Sequence, residues 1–205
     1  CTLTPLAEWL PLPGDPAPIA EQFTAIERFA SQGDGPKFVY AHFLLPHPPF
    51  VFDADGTPLT DTVACRRTHE QNYRGQLQYT NRRLLQLIDH LQAVSQPAPV
   101  IIVQADEGPY LSARDHNLSR RQCLAKRMEI LSAFSLPGVE DPRAVVPPDI
   151  SPVNTFRLVL REYFGVPLEP LPNRSYFWEE FSPEGGLNWA IGGEFVDVTN
   201  ELQAN

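Results

Sequence analysis

No stretch of the chain holds the ~18–20 consecutive apolar residues that a membrane-spanning helix needs. No charged, apolar, small-residue leader opens it either. Basic residues are scarce, with 16 Lys and Arg against 25 Asp and Glu, giving a net charge of −9. There is no basic stripe with interleaved aromatics, which argues against a nucleic-acid partner. The acidic balance also disfavours docking on anionic lipid, and it suits a cation site. Cysteine is rare, and neither Cys65 nor Cys123 belongs to a metal-type CxxC. Both sit in Arg-rich stretches, where a disulfide in an oxidising compartment and two unrelated thiols are both open readings. There is no GxSxG, P-loop, HExxH or EF-hand pattern and no internal repeat. Beginning at Cys1 rather than Met, the chain reads as a processed product or a piece of a longer protein. A mature bacterial lipoprotein, which also begins with Cys, is the alternative.

What is present is a globular composition, 42% hydrophobic and 20% charged, in a length that can bury a real core. Proline is abundant, with 22 residues clustered at 5–18, 46–58, 97–99, 137–152 and 167–183. Such clusters predict long ordered loops between a few regular elements.

Helical spacing of Phe23, Ile26 and Ala30 predicts a short helix over 19–31, stopped by Gly33. Residues 37–45 are apolar and β-prone between Pro36 and Pro46, which predicts a buried strand. The longest helix is predicted over 69–94, with Tyr73, Leu77, Leu84, Ile88 and Leu91 inward and Arg74, Gln78, Arg82 and Asp89 outward. The Val/Ile run within 99–105 predicts a second buried strand of parallel-sheet type, and 128–136 a third strand. A last helix is predicted over 152–164, with Ser151 as N-cap, Gly165 as stop, and Val153, Phe156, Leu160 and Tyr163 inward. This order predicts an α/β fold, a mostly parallel sheet with helices on both faces. The expected organisation is a Pro-rich connector and short helix over 1–35, an α/β core portion over 36–165, and an irregular wrapping tail over 166–205.

In such sheets ligands sit at the carboxyl ends of strands. His47 and the Asp106-Glu107 pair both fall there in the expected order. Adjacent carboxylates repel, and burying them calls for a divalent cation or a basic side chain. Gly108 permits the tight turn that follows. The plainer reading is a strand-to-loop turn with solvated acids. His47, held between prolines, either contacts a metal or an anionic oxygen, or bonds to nearby backbone. His116 is a further ligand or an exposed loop histidine. His42 reads as a packed core residue, and His69 and His90 as helix surface.

Four stretches in register carry a resemblance. They are Pro36–His42 running into Pro46-His47-Pro48-Pro49-Phe50; Tyr79–Leu84; Gln104-Ala105-Asp106-Glu107-Gly108-Pro109; and Ile150–Arg157. Together, over roughly residues 36–178, they resemble sulfatase-like hydrolase/transferase proteins of the alkaline phosphatase superfamily, closest to membrane-tethered bacterial members. The resemblance implies metal-assisted hydrolysis or transfer of a phosphate or sulfate ester. A Thr, Ser or modified Cys attacks, and a divalent metal (Zn, Mn or Mg) stabilises the oxygens. His47 matches the family's substrate-contacting histidine, and Asp106 matches the first metal ligand of its Asp-His-Gly motif. Glu107 stands where that motif has His, which shifts preference toward harder ions or marks a degenerate site. Residues 1–35 resemble the connector between the two halves of such domains, and Cys1-Thr2-Leu3-Thr4-Pro5 departs from the sulfatase nucleophile pattern.

The expectation is therefore the C-terminal part of an ester hydrolase or transferase domain. Catalytic His47 and metal ligands Asp106, Glu107 and His116 would be completed by an upstream half or a membrane-anchored segment. It places the protein at the periplasmic or extracellular face of a bacterial membrane. The rival expectation is a non-catalytic sulfatase-like subunit that serves binding or assembly in a membrane complex. A third is an independent small α/β binding domain.

Overall fold

The computed structural model describes residues 15–33, 35–109, 117–180 and 193–203. The chain divides into two compact units, 1–99 and 100–205. In the first, helix α1 (Pro16–Ala30) starts where the Asp15 side chain accepts from the Ala17 N–H at 2.9 Å. A short helix α2 (Asp61–Arg66) leads into the long helix α3 (His69–Val94). Helix α3 begins at a reciprocal capping box between Thr68 and Gln71, which satisfies two of its orphan N–H donors.

Phe23, Leu45, Val51, Phe52, Tyr79 and Leu87 form the core of this unit, flanked by Ile19, Ile26, Phe43, Leu84 and Leu91. Phe23 stacks on Phe43 with ring centres 4.3 Å apart, and Phe52 on Tyr79 at 4.2 Å. Each such pair adds about 0.5–1.5 kcal/mol beyond its buried area.

The second unit holds strand β1 (Ile101–Gln104), helix α4 (Arg120–Met128), strand β2 (Ser132–Ser135), helices α5 (Pro142–Val145) and α6 (Pro152–Phe164), hairpin strands β3 (Tyr176–Glu180) and β4 (Gly193–Asp197), and helix α7 (Thr199–Gln203). Its core gathers Leu136, Leu158 and Val159 against Val100, Ile102, Phe134, Val145 and Ile150. Asn154 on α6 braces the chain beyond the helix: its amide donates to the Leu171 carbonyl at 2.8 Å, and its oxygen accepts from the Leu171 N–H at 2.8 Å.

The structure corrects the fold expectation. Among the described residues the only sheets are two antiparallel pairs, β1 with β2 and β3 with β4. There is no mostly parallel sheet with helices on both faces, of alkaline phosphatase type. The continuous Val/Ile run predicts a strand buried on both faces, and the structure does not bury it so. All four residues of β1 are only half-buried, and it is Val100 and Ile102 that reach the core.

Among the described residues, 37–45 form no strand, and of this segment Phe43 and Leu45 join the core. His42 is exposed rather than a core residue. The tail is more regular than expected, since it carries β3, β4 and α7.

Helix limits are closer to expectation. Helix α3 spans 69–94 and α6 spans 152–164, with Gly165 left-handed at φ 63° as its stop. Their buried faces are shifted. Helix α3 buries Asn72, Gly75, Gln76, Tyr79, Thr80 and Leu87, and α6 buries Asn154, Thr155, Leu158 and Val159. Val153 and Phe156 are about half exposed. Both helices turn polar residues inward to hold loops, which a count of apolar spacing cannot see.

Candidate functional site

In the first unit, His47 lies in a turn after this apolar segment, and its N–H donates to the Leu44 carbonyl at 2.8 Å. The peptide bonds preceding Pro46 and Pro49 are both cis. The loop is fixed from below by Gln76, which is fully buried on α3. Its side-chain oxygen accepts from the Val51 N–H at 2.7 Å and the Phe52 N–H at 3.2 Å. Its amide nitrogen donates to the His47 carbonyl at 3.0 Å. One neutral side chain thus satisfies three main-chain groups on the two sides of the cis Pro48–Pro49 bond. The His47 ring is exposed, with Nδ1 against the Pro48 carbonyl oxygen.

The loop after this turn is also tied down. Asp53 accepts from Arg67 at 2.8 Å and from the Ala54 N–H at 2.7 Å. The Arg67 hydrogen bond, ahead of that from Ala54, holds the Asp53 carboxyl below the usual carboxylate range.

In the second unit, Asp106 and Glu107 are both exposed at the end of β1. Asp106 Oδ1 accepts from the Glu107 N–H at 3.0 Å, a local turn bond. The Glu107 carboxylate pairs with the Arg127 guanidinium, which is mostly buried. Arg127 also donates to the Gly108 carbonyl at 2.7 Å, and the Gly108 N–H donates back to the Arg127 carbonyl at 2.7 Å. Arg127 lies in the last turn of α4, so the turn covers carbonyls that the helix end leaves without internal donors. Gly108 is required here, because a Cβ built on it would overlap the Lys126 carbonyl oxygen.

The remaining expected site residue, His116, lies outside the described residues. Cys65 and Cys123 are free thiols. His69, at the start of α3, meets the Phe50 ring edge-on at 5.0 Å, and His90 Nε2 lies 3.2 Å from the Glu27 carbonyl.

The described residues do not by themselves fit a bound divalent metal. Glu107 is engaged by Arg127, and one oxygen of Asp106 is engaged by the turn. Among the described residues no three His, Cys, Asp or Glu side chains come together as a ligand set. The second unit has an open concavity of about 320 Å³ lined by Arg121, Gln122, Glu129, Ser175 and Leu202, and neither Asp106 nor Glu107 lines it. Among the described residues, no helix is long and apolar enough to cross a membrane.

Sequence reasoning missed Gln76 and Arg127. The Asn72, Gln76 and Thr80 stripe, at four-residue spacing beside Gly75, was a legible sign of a buried polar face. Arg127, twenty residues from Glu107, gave no local sign. No protein-family model, curated protein or solved structure matches the chain.

Proposed function

We propose that this chain is part of a sulfatase-like domain that serves binding and assembly, rather than ester chemistry, in a membrane-associated complex at the periplasmic or extracellular face of a bacterial membrane. The observation that carries this reading is the segment 39–44, which joins no strand among the described residues. Val39, Tyr40 and Leu44 are 47%, 78% and 64% exposed. Among the described residues, no main-chain group of 39–43 is hydrogen-bonded. These are the residue types that favour strand pairing, displayed on a backbone with free donors and acceptors. Strand addition by a partner satisfies such a backbone, and the exposed side chains then set specificity. The partner in this reading is an upstream half of the domain or a membrane-anchored segment.

The test has two arms. Purified chain and full-length protein are assayed against p-nitrophenyl phosphate and p-nitrophenyl sulfate with added Zn²⁺ or Mn²⁺. Amide hydrogen exchange over 39–44 is then compared between isolated chain and membrane-assembled protein. The expected result is no turnover that depends on Asp106, with exchange that is fast in isolation and slow in the assembly. Ester cleavage lost on Asp106→Ala sinks the reading, as does unchanged exchange.

A second reading, hydrolysis or transfer of a phosphate or sulfate ester completed by an upstream nucleophile-bearing segment, has one observation in its favour. His47 is displayed to solvent on a loop that Gln76 holds in place, as a substrate-contacting histidine requires.

A further inference from the structure

Two adjacent carboxylates at the end of a helix-capping turn create a strong local demand for positive charge. The demand is sharper here because the turn sits on the C-terminus of α4, the negative end of the helix dipole. The structure shows where that charge comes from. Arg127 reaches Glu107 with one arm of its guanidinium and the Gly108 carbonyl with the other. The planar fork of arginine suits this two-point grip, and it stays charged at any working pH. The main chain closes the same junction from both sides. The Gly108 N–H bonds the Arg127 carbonyl at 2.7 Å, and the Ala105 N–H bonds the Leu131 carbonyl at 2.9 Å.

From this we infer that Arg127 is the resident cation of the acid turn, a positioning residue that latches residues 105–108 onto the end of α4 and withholds Glu107 from any divalent metal. The latch is steric as well as electrostatic, since only glycine at 108 lets the two backbones approach this closely. A metal that claimed Glu107 would have to break its pairing with a mostly buried guanidinium, which is costly. The inference concerns this turn alone and does not rest on the assembly reading. Metal binding with no assembly, and assembly with no metal, are separate results.

The experiment combines Mn²⁺ binding, read by water-proton relaxation, with thermal unfolding of the intact 205-residue chain. Wild type, Glu107→Gln, Arg127→Gln and the double variant are compared. The expected result is no saturable Mn²⁺ site in wild type or in Glu107→Gln. Each single variant lowers the unfolding midpoint by on the order of 5 °C, and the double variant falls no further than the worse single one. Stoichiometric Mn²⁺ uptake by wild type that is lost in Glu107→Gln overturns the inference. Strictly additive midpoint shifts overturn it too. If Arg127→Gln does not fold, the Mn²⁺ comparison of wild type with Glu107→Gln decides alone.

Discussion

The two units each hold a loop at the end of an apolar segment, and they do it by opposite means. In the first, the His47 loop rests on a buried neutral side chain, Gln76, through three hydrogen bonds. In the second, the Asp106-Glu107 turn is gripped from the side by an ion pair in which Arg127 is mostly buried and the Glu107 carboxylate meets solvent. A buried neutral network is indifferent to salt and pH but is expensive to break, because its loss orphans main-chain groups in a dry environment. A pair whose carboxylate side meets solvent responds to salt. The difference also shows in the side chains the two loops carry. Gln76 leaves the His47 ring exposed to solvent, while Arg127 occupies the carboxylate it holds.

The comparison breaks most visibly at Gln76. Gln76→Ala leaves the Val51 and Phe52 N–H groups and the His47 carbonyl without their partner and opens a void beneath the loop. The expected loss is about 3–5 kcal/mol in the first unit. Hydrogen exchange at the Val51 and Phe52 amides checks it, since both should lose protection together. Next comes Gly108→Ala, where the new methyl meets the Lys126 carbonyl and pries the turn from α4. A loss of about 2–3 kcal/mol is expected. The check is whether the Gly108 amide, now parted from the Arg127 carbonyl, exchanges faster while amides of the first unit do not change.

The two holding devices also explain how much of the molecule was legible in the sequence. The limits of helix α3 and helix α6 were readable from apolar spacing together with their stops, Pro97 and Pro99 after one and Gly165 after the other. The faces they bury were not. Gln76 and Asn154 point inward to satisfy loops and Asn72 to bond the Ala64 carbonyl of α2, so burial there follows hydrogen bonding rather than hydrophobicity. The strands failed for a different reason. Apolar runs at 37–45 and 99–105 look alike in composition, yet among the described residues one forms no strand and the other finds an antiparallel partner at 132–135. Strand pairing is a non-local choice that no local run encodes. At the candidate site, the sequence pointed to Asp106-Glu107 and to their need for a counter-charge. It could not say that the charge is Arg127, because the two meet only after the chain has run through α4.

A smaller effect sharpens the contrast between the pinned loop and the gripped turn. Glu107→Gln removes the charge from the pair but keeps its shape, and the side chain is about two-fifths exposed. A cost of about 1 kcal/mol or less is expected. It should shrink when sodium chloride rises from 0.05 to about 0.5 M, because screening weakens the wild-type pair. Gln76→Ala, which breaks neutral bonds, should cost the same at both salt concentrations. Urea unfolding of both variants at the two concentrations reads this directly. Equal salt dependence in the two variants would erase the distinction drawn here.

The smallest effect lies inside the first unit, which has one charge-held loop of its own. Asp53 is held below the usual carboxylate range, first by its hydrogen bond from Arg67 and then by that from Ala54. A carboxylate with a depressed folded pKa stabilises the fold fully above its unfolded value of about 3.9, and that contribution disappears as pH falls through the lower folded value. The Arg67–Asp53 pair is about a third exposed on each side, so solvent screening keeps the contribution below about 1 kcal/mol. The first unit should therefore hold its stability down to about pH 4 and then soften first in residues 53–57, where the Asp53 N–H and carbonyl close the turn with Thr57 and Gly56. Asp53→Asn should lower stability at neutral pH and flatten this acid dependence. The Gln76 bonds have no proton to gain in this range, so Val51 and Phe52 should stay protected while the 53–57 amides open. If all of these amides open together on acidification, the turn and the His47 loop form a single cooperative block, and the neutral pin does not act separately from the charged one.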